Sequence, residues 1–232
     1  MSEILIIGNS KASKNFSAYL NFIGLSHTIL PLRKTIQYKS KIKEAKIIFI
    51  LTKDDEILKF YSKNKKILSG KKLFHFSGTV YDKNILSLHP IISFPKNPIT
   101  GKEFEKIIFT SENPVKAKKE LRWFKNKIIN INPENKSEYH MLLTILLNFP
   151  LILIENSYQV LVKKYHIPEK YLSNLILKTI QNYIENNNQL TGPLIRKDFK
   201  TIKLHLKHLT RNPLRHIYYG FIKYCKEVYD NK

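Results

Sequence analysis

Hydrophobic positions in the first 131 residues come as short, nearly unbroken runs separated by polar stretches. From Asn132 onward they recur only at helical spacing. The runs Glu3–Gly8, Thr28–Leu30, Lys46–Thr52, Lys72–Ser77, Ser87–His89, Lys106–Thr110 and Ile128–Ile131 read as strands. Several are continuous in Ile, Leu and Phe, the pattern of strands buried on both faces. Between the first two, Ala12, Phe16, Tyr19, Leu20 and Ile23 fall on one helical stripe that Gly24 closes. Strand alternating with helix predicts an α/β fold with a doubly wound, mostly parallel sheet.

The second half predicts helices alone. Asn132 can cap a helix that starts at Pro133, a second starts near Pro168, and Asn212–Pro213 repeats the Asn-Pro start. Ile195, Phe199, Ile202, Leu206 and Leu209 form one apolar stripe. The boundary therefore falls near Ile131–Pro133, giving a dinucleotide-binding-type domain over 1–132 and an all-α domain for substrate and dimerisation over 133–232.

Composition narrows this little. The chain has 232 residues, 43% of them hydrophobic, so a real core can form. The single cysteine, Cys225, cannot make an internal disulfide, which fits a reducing cytosol. No charged-then-apolar leader opens the sequence. The longest apolar run, Met141 to Ile154, contains Asn148 and Pro150 and is short for a membrane span. It reads as a buried, kinked helix, so no membrane partner is expected. With 40 Lys and Arg against 18 Asp and Glu, the net charge is +22. The lysines are scattered and arginine is scarce, so the excess reads as compositional bias rather than as a focused polyanion-binding patch. The face Arg196, Lys200, Lys203, Lys207 and Arg211 is where non-specific polyanion binding would sit. No metal site is expected.

Candidate chemistry sits where parallel sheets place ligands, beyond the carboxyl ends of the strands. "GNSKAS" follows the first strand: Gly8 is kept, and Asn9, Ser10, Lys11 and Ser13 surround the helix start. Ser10 and Ser13 stand where a dinucleotide fingerprint has its second and third glycines. The turn is either an altered cofactor loop or a plain strand–turn–helix. No acid follows the second strand to hold ribose hydroxyls. Arg33 and Lys34 stand there instead, which suits the 2′-phosphate of NADP. Thr52, Ser77 and His89 end further strands. Asp54, Asp55 and Glu56 read as acids in the first turn of the next helix. On the helix after Pro133, Lys136 precedes Tyr139 and His140 by one turn, and Asn148 lies two turns further on. Lys136, His140 and Asn148 could polarise a carbonyl and move a proton, or be a solvated lysine with structural partners.

"FILTKDDEI", "HFSGT", "LHPIISF", "KSEYHMLLTILLNF" and "LTGPLIRKDFKTIKLHLKHL", in this order, resemble a bacterial family of Rossmann-like NADP-dependent oxidoreductases whose helical C-terminal half is a domain of unknown function. The resemblance spans nearly the whole chain. The family is similar in architecture to ketopantoate reductase, pyrroline carboxylate reductase and the β-hydroxyacid dehydrogenases. The last group uses a lysine and an asparagine on the first helix after the nucleotide domain. Lys136 matches the lysine; Asn148 is one match for the asparagine, and His140 sits nearer the usual spacing. Ser10 and Ser13 depart from the family's loop glycines, and Lys197 replaces the glycine before Asp198. The resemblance implies a cytoplasmic oxidoreductase acting with NADP on a small carbonyl or imine compound, working as a homodimer. Gly8, Asn9, Ser10, Lys11, Arg33, Lys34, Thr52 and Ser77 would hold the cofactor. Lys136, His140 and Asn148 would carry the catalysis, with His89, Thr191 and Arg196 on the substrate. The alternative is a degenerate Rossmann-like protein that has lost nicotinamide binding and serves as a binding or scaffold protein.

Overall fold

A computed structural model describes residues 4–32, 35–185 and 190–229. The predicted alternation is present. β1 (Ile4–Ile7), α1 (Lys11–Phe22), β2 (His27–Leu30), α2 (Thr35–Glu44), β3 (Ile47–Ile50), α3 (Asp54–Leu68), β4 (Lys72–His75) and β5 (Leu86–Ser87) build a five-stranded sheet in the order β2-β1-β3-β4-β5. All its pairings are parallel. β6 (His89–Pro90), α4 (Gly101–Glu105), β7 (Phe109–Ser111), α5 (Pro114–Glu120) and β8 (Ile128–Asn130) follow. A second sheet, β6-β7-β8, pairs β6 antiparallel and β8 parallel to β7.

The run expected as one strand over Ser87–His89 is thus divided. β5 stays in the parallel sheet and β6 leaves for the second, with fully buried Leu88 between them donating its N–H to the His75 carbonyl at 2.8 Å. The apolar runs are covered on both faces, as their composition requires. Phe16, Tyr19, Leu20, Phe49, Phe74, Phe104 and Phe109 fill one layer. Leu5, Ile7, Ile42, Ile48, Ile50 and Ile57 fill the other.

From Pro133 the described residues are helical or in turns. A 3₁₀ turn (Pro133–Asn135) leads into α6 (Lys136–Leu143), a π turn (Thr144–Asn148) and α7 (Phe149–Tyr165). Asn132 stands at the cap position with Pro133 behind it, but its side chain makes no cap bond. Pro150 does not end this helix. Its ring removes one backbone donor, and the π turn just before it changes the bonding pattern where that donor is missing. α8 (Glu169–Glu185), α9 (Phe199–His208) and α10 (Leu214–Tyr229) complete the chain.

The chain forms two compact units, Met1–Leu151 and Ile152–Lys232, so α6 belongs with the sheets. One sequence expectation fails here. The run Met141 to Ile154 is not buried: Leu146 is 67% exposed and Ile152 63%. Helical spacing reports an apolar face, not what covers it. By length and composition, the helix over 133–165 could cross a membrane, which for a single helix is weak evidence.

Candidate functional site

The order β2-β1-β3 puts a topological switch point between β1 and β3, where such sheets open a ligand crevice. Gly8 ends β1 with φ +128°, and a Cβ there would lie 2.3 Å from the Leu51 carbonyl oxygen. Only glycine lets the turn pass this close to the end of β3. Ser10 caps α1 and forms a reciprocal capping box with Ser13. Both hydroxyls also donate to the Leu51 carbonyl, Ser10 at 3.1 Å and Ser13 at 3.3 Å. The serines that replace the loop glycines therefore tie the turn to β3. Asn9 and Lys11 are exposed, and no acid occupies the first turn of α1. Arg33 and Lys34 lie outside the described residues.

At the end of β3, Thr52 is half-buried and its hydroxyl bonds the Lys53 carbonyl at 3.3 Å. Asp54, Asp55 and Glu56 open α3, as read from the sequence. Beyond β4, buried Ser77 accepts the N–H groups of Thr79 at 3.2 Å and Val80 at 3.0 Å, and Thr79 donates to Asp54 at 2.8 Å. Ser77 thus holds the turn through Gly78.

Lys136 is neither solvated nor free. It is 3% exposed, donates to Ser87 at 2.7 Å and lies 3.6 Å from Glu112. Glu112 also accepts the Ser87 N–H at 2.8 Å and the Ser87 hydroxyl. Burial pulls the ammonium pKa below the usual lysine value, and Glu112, then Asp54, oppose the shift.

Next to this group are three histidines. His75 is fully buried, accepts the Ser77 N–H at 3.1 Å, and its Nε2 has no partner. Burial pushes its pKa down to about 3, helped by Lys136 and then His89. His89 meets the Tyr139 hydroxyl through Nδ1 at 2.9 Å, and Thr110 donates to that hydroxyl at 3.3 Å. Burial, then His140 and Lys136, push His89 down to about 4, against an opposing pull from Asp54. Burial raises Tyr139, and the bond from Thr110 works the other way. His140 meets the His89 ring edge to face, with centroids 5.5 Å apart.

His89, His140 and Asn148 line one cavity of about 130 Å³, with Pro90, Ile92, Ser93, Leu143, Thr144 and Leu147. Three residues singled out from the sequence thus meet at one place, and the π turn brings Asn148 to it. Lys136 is not among its lining residues. Sequence reasoning missed Glu112, Ser87, Thr110 and Gly78 and left Tyr139 without a role. Only the Lys-x-x-Tyr-His and His-Phe-Ser-Gly-Thr blocks pointed toward any of them.

Thr191 and Arg196 belong to the second unit and are exposed. Asp198 caps α9, accepting the Thr201 N–H at 3.1 Å and its hydroxyl at 2.7 Å. Those two bonds, with Arg196 and His205 behind them, hold the Asp198 carboxyl below the usual range. Lys197, in place of the family's glycine, takes φ +56°. Arg196, Lys200, Lys203, Lys207 and Arg211 are all exposed.

No protein of curated function matches the sequence. Among solved structures, a putative NADP oxidoreductase from Bacteroides fragilis is similar with TM-score 0.74 at 20% identity, over 97% of each chain. A protein from Thermotoga maritima is similar with TM-score 0.64 at 19% identity, over 98% of each. An imine reductase from Myxococcus stipitatus in complex with NADP⁺ is similar with TM-score 0.67 at 11% identity, over 98% of this chain and 94% of that one. At these identities the likeness is one of fold. Residues 112–224 match the profile of a domain of unknown function, DUF2520. The chain thus has a Rossmann-like α/β fold, and its residues 112–224 match a domain of unknown function, DUF2520.

Proposed function

We propose that this chain is a soluble, cytosolic NADP-dependent oxidoreductase that reduces or oxidises a small carbonyl or imine compound. The observation that carries this reading is the meeting of His89, His140 and Asn148 around one cavity, in the same unit as a β1–α1 turn at the sheet's switch point. The turn suits an anion: its helix start carries no acid, and Lys11 stands beside it. Gly8 to Lys11 would hold the pyrophosphate, Arg33 and Lys34 the 2′-phosphate, and Thr52 and Ser77 would border the cofactor further along. Bound NADP(H) supplies or accepts the hydride. The imidazole and amide groups of the cavity would orient the substrate's heteroatom.

The two seryl hydroxyls turned onto the Leu51 carbonyl favour a second reading: a loop satisfied by itself, in a scaffold that no longer binds nicotinamide. Titration with NADPH and NADH, followed by nicotinamide fluorescence, separates the two. The first reading expects NADPH to bind more tightly than NADH. The paired change Arg33→Ala, Lys34→Ala should then weaken NADPH alone by about 1–3 kcal/mol. Absence of binding at millimolar cofactor leaves the scaffold.

We also infer a homodimer formed through the helices. In the second unit Leu172 and Ile202 are the only buried hydrophobic side chains among the described residues, while Leu175, Leu177, Ile184 and Phe199 are exposed. So small a core leaves an apolar surface that a second copy would cover. Any polyanion binding through the α9 cations would be weak, salt-sensitive and indifferent to sequence.

A further inference from the structure

We propose that His89 hands the proton to the substrate, its ring set for that task by Tyr139 and Thr110, while Lys136 is a buried structural cation. This rests on the oxidoreductase reading above.

The hydrogen bonds point to the nitrogen that carries the proton. The Thr110 hydroxyl donates to the Tyr139 oxygen at 3.3 Å. Tyr139 has one proton of its own, and its other neighbour is His89 Nδ1 at 2.9 Å. Nδ1 is therefore the acceptor, and the neutral ring carries its hydrogen on Nε2. That nitrogen has no protein partner among the described residues. Gly78 faces it: a Cβ there would lie 3.0 Å from His89 Nε2 and 2.5 Å from His140 Cδ2. The missing side chain keeps room at the donor nitrogen, and both rings line the cavity.

The groups facing His89 are His140, Lys136 and Tyr139 from α6, Asp54 from α3 and His75 from β4. Burial and the two nearby bases keep the ring neutral at neutral pH, so the donor is an imidazole N–H. Lys136 cannot serve as readily, since its ammonium is enclosed by Ser87 and Glu112.

In the reducing direction a bound reduced nicotinamide would supply hydride to the substrate carbon, and the C=O or C=N π pair would move onto the heteroatom. The heteroatom takes the Nε2 proton, and the N–H pair stays on the ring. Nδ1 takes the Tyr139 proton. The phenolate left behind keeps the hydrogen bond from Thr110 and is reprotonated from water. His89 is then the catalytic acid, Tyr139 its proton source and Thr110 a positioning residue.

Two measurements on the full chain test this. Long-range ¹H–¹⁵N NMR of histidine-labelled protein reads the His89 tautomer, with His89→Asn assigning the signal. Nε2–H is expected in the wild type, and a shift toward mixed tautomers in Tyr139→Phe. NADPH oxidation is then followed with 1-pyrroline and cyclohexanone as imine and carbonyl probes. His89→Asn should lower kcat by about 10²–10⁴-fold, with the Kd for NADPH unchanged. Gly78→Ala should do the same with the histidine intact, which guards against a misfolded His89 variant. Tyr139→Phe should remove the alkaline limb of the pH profile. An Nδ1–H tautomer in the wild type, or full turnover in His89→Asn, overturns the His89 role alone. A wild type that binds no NADPH, or turns over neither probe, overturns the oxidoreductase reading and this role with it.

Discussion

Replacing Glu112 by Gln tests whether the Lys136 site is held by charge. The substitution keeps the shape of the side chain but removes its negative charge, leaving a buried ammonium with Ser87 as its nearest hydrogen-bond partner. Deleting one partner of a buried ion pair costs about 3–5 kcal/mol. The structure also sets a ceiling on that loss, because Lys136 can escape by giving up its proton. From an ordinary lysine pKa, neutralising the group costs about 5 kcal/mol at pH 7 but about 2 kcal/mol at pH 9. The destabilisation should therefore be several kcal/mol at neutral pH and shrink by roughly half at pH 9. With a urea m-value of about 2–3 kcal/mol/M, the midpoint moves by about 1–2 M at pH 7. The single tryptophan, Trp123, packs against Phe16 and Phe124 in the first unit and reports its unfolding by fluorescence. Adding Lys136→Met to Glu112→Gln should recover much of the loss, because no charge is then left in the interior. An unmoved midpoint, or a loss equal at pH 7 and pH 9, would refute the argument that a trapped charge is the cause.

His75 and His89, with pKa values pushed down to about 3 and about 4, bind a proton less readily folded than unfolded. Stability should therefore be complete above about pH 6.5 and fall with acidification toward pH 4 and 3; by pH 5 each forfeits about 2 kcal/mol. Urea midpoints across this range check it, and a curve flat from pH 7 to 5 would contradict it. Gly8→Ala places a methyl 2.3 Å from the Leu51 oxygen at φ +128° and should cost several kcal/mol or abolish folding, seen as a lost or lowered melting transition. Ser10→Ala removes the α1 cap and should cost about 1 kcal/mol in the same assay; no change would mean the capping box is idle. Leu177→Glu, at a 67% exposed position of α8, should convert the inferred dimer to monomer in light scattering without lowering helix content. A wild type already monomeric at high concentration removes that inference.

Much of this architecture is local and was legible before any coordinates. Continuous Ile, Leu and Phe runs mark doubly covered strands, and the spacing of Phe16, Tyr19 and Leu20 marks the buried face of α1. The Asn132–Pro133 step marks where the chain turns helical. Each rests on short-range geometry, either the period of a helix or strand or the fixed φ of proline, so a dozen neighbouring residues suffice. His89, His140 and Asn148 were also legible, as polar groups at a strand end and on one helix face.

The meeting of the site's parts was not local. Lys136 reaches Ser87 across 49 residues and Glu112 across 24, and nothing in either neighbourhood distinguishes a buried lysine from a solvated one. The strand's departure at Leu88 is what puts Ser87 in one sheet and His89 in the other. The hydroxyls of Ser10 and Ser13 looked free to meet a phosphate until β3 placed the Leu51 carbonyl beside them. Periodicity likewise placed an apolar face on Met141 to Ile154 but not its neighbours, so the burial expected there did not follow. The sequence alone determined the alternation of strands and helices and which face of each is apolar, but not the division of the Ser87–His89 run between two sheets. The tertiary structure decided which polar groups share one desolvated space, because that depends on contacts between segments far apart along the chain.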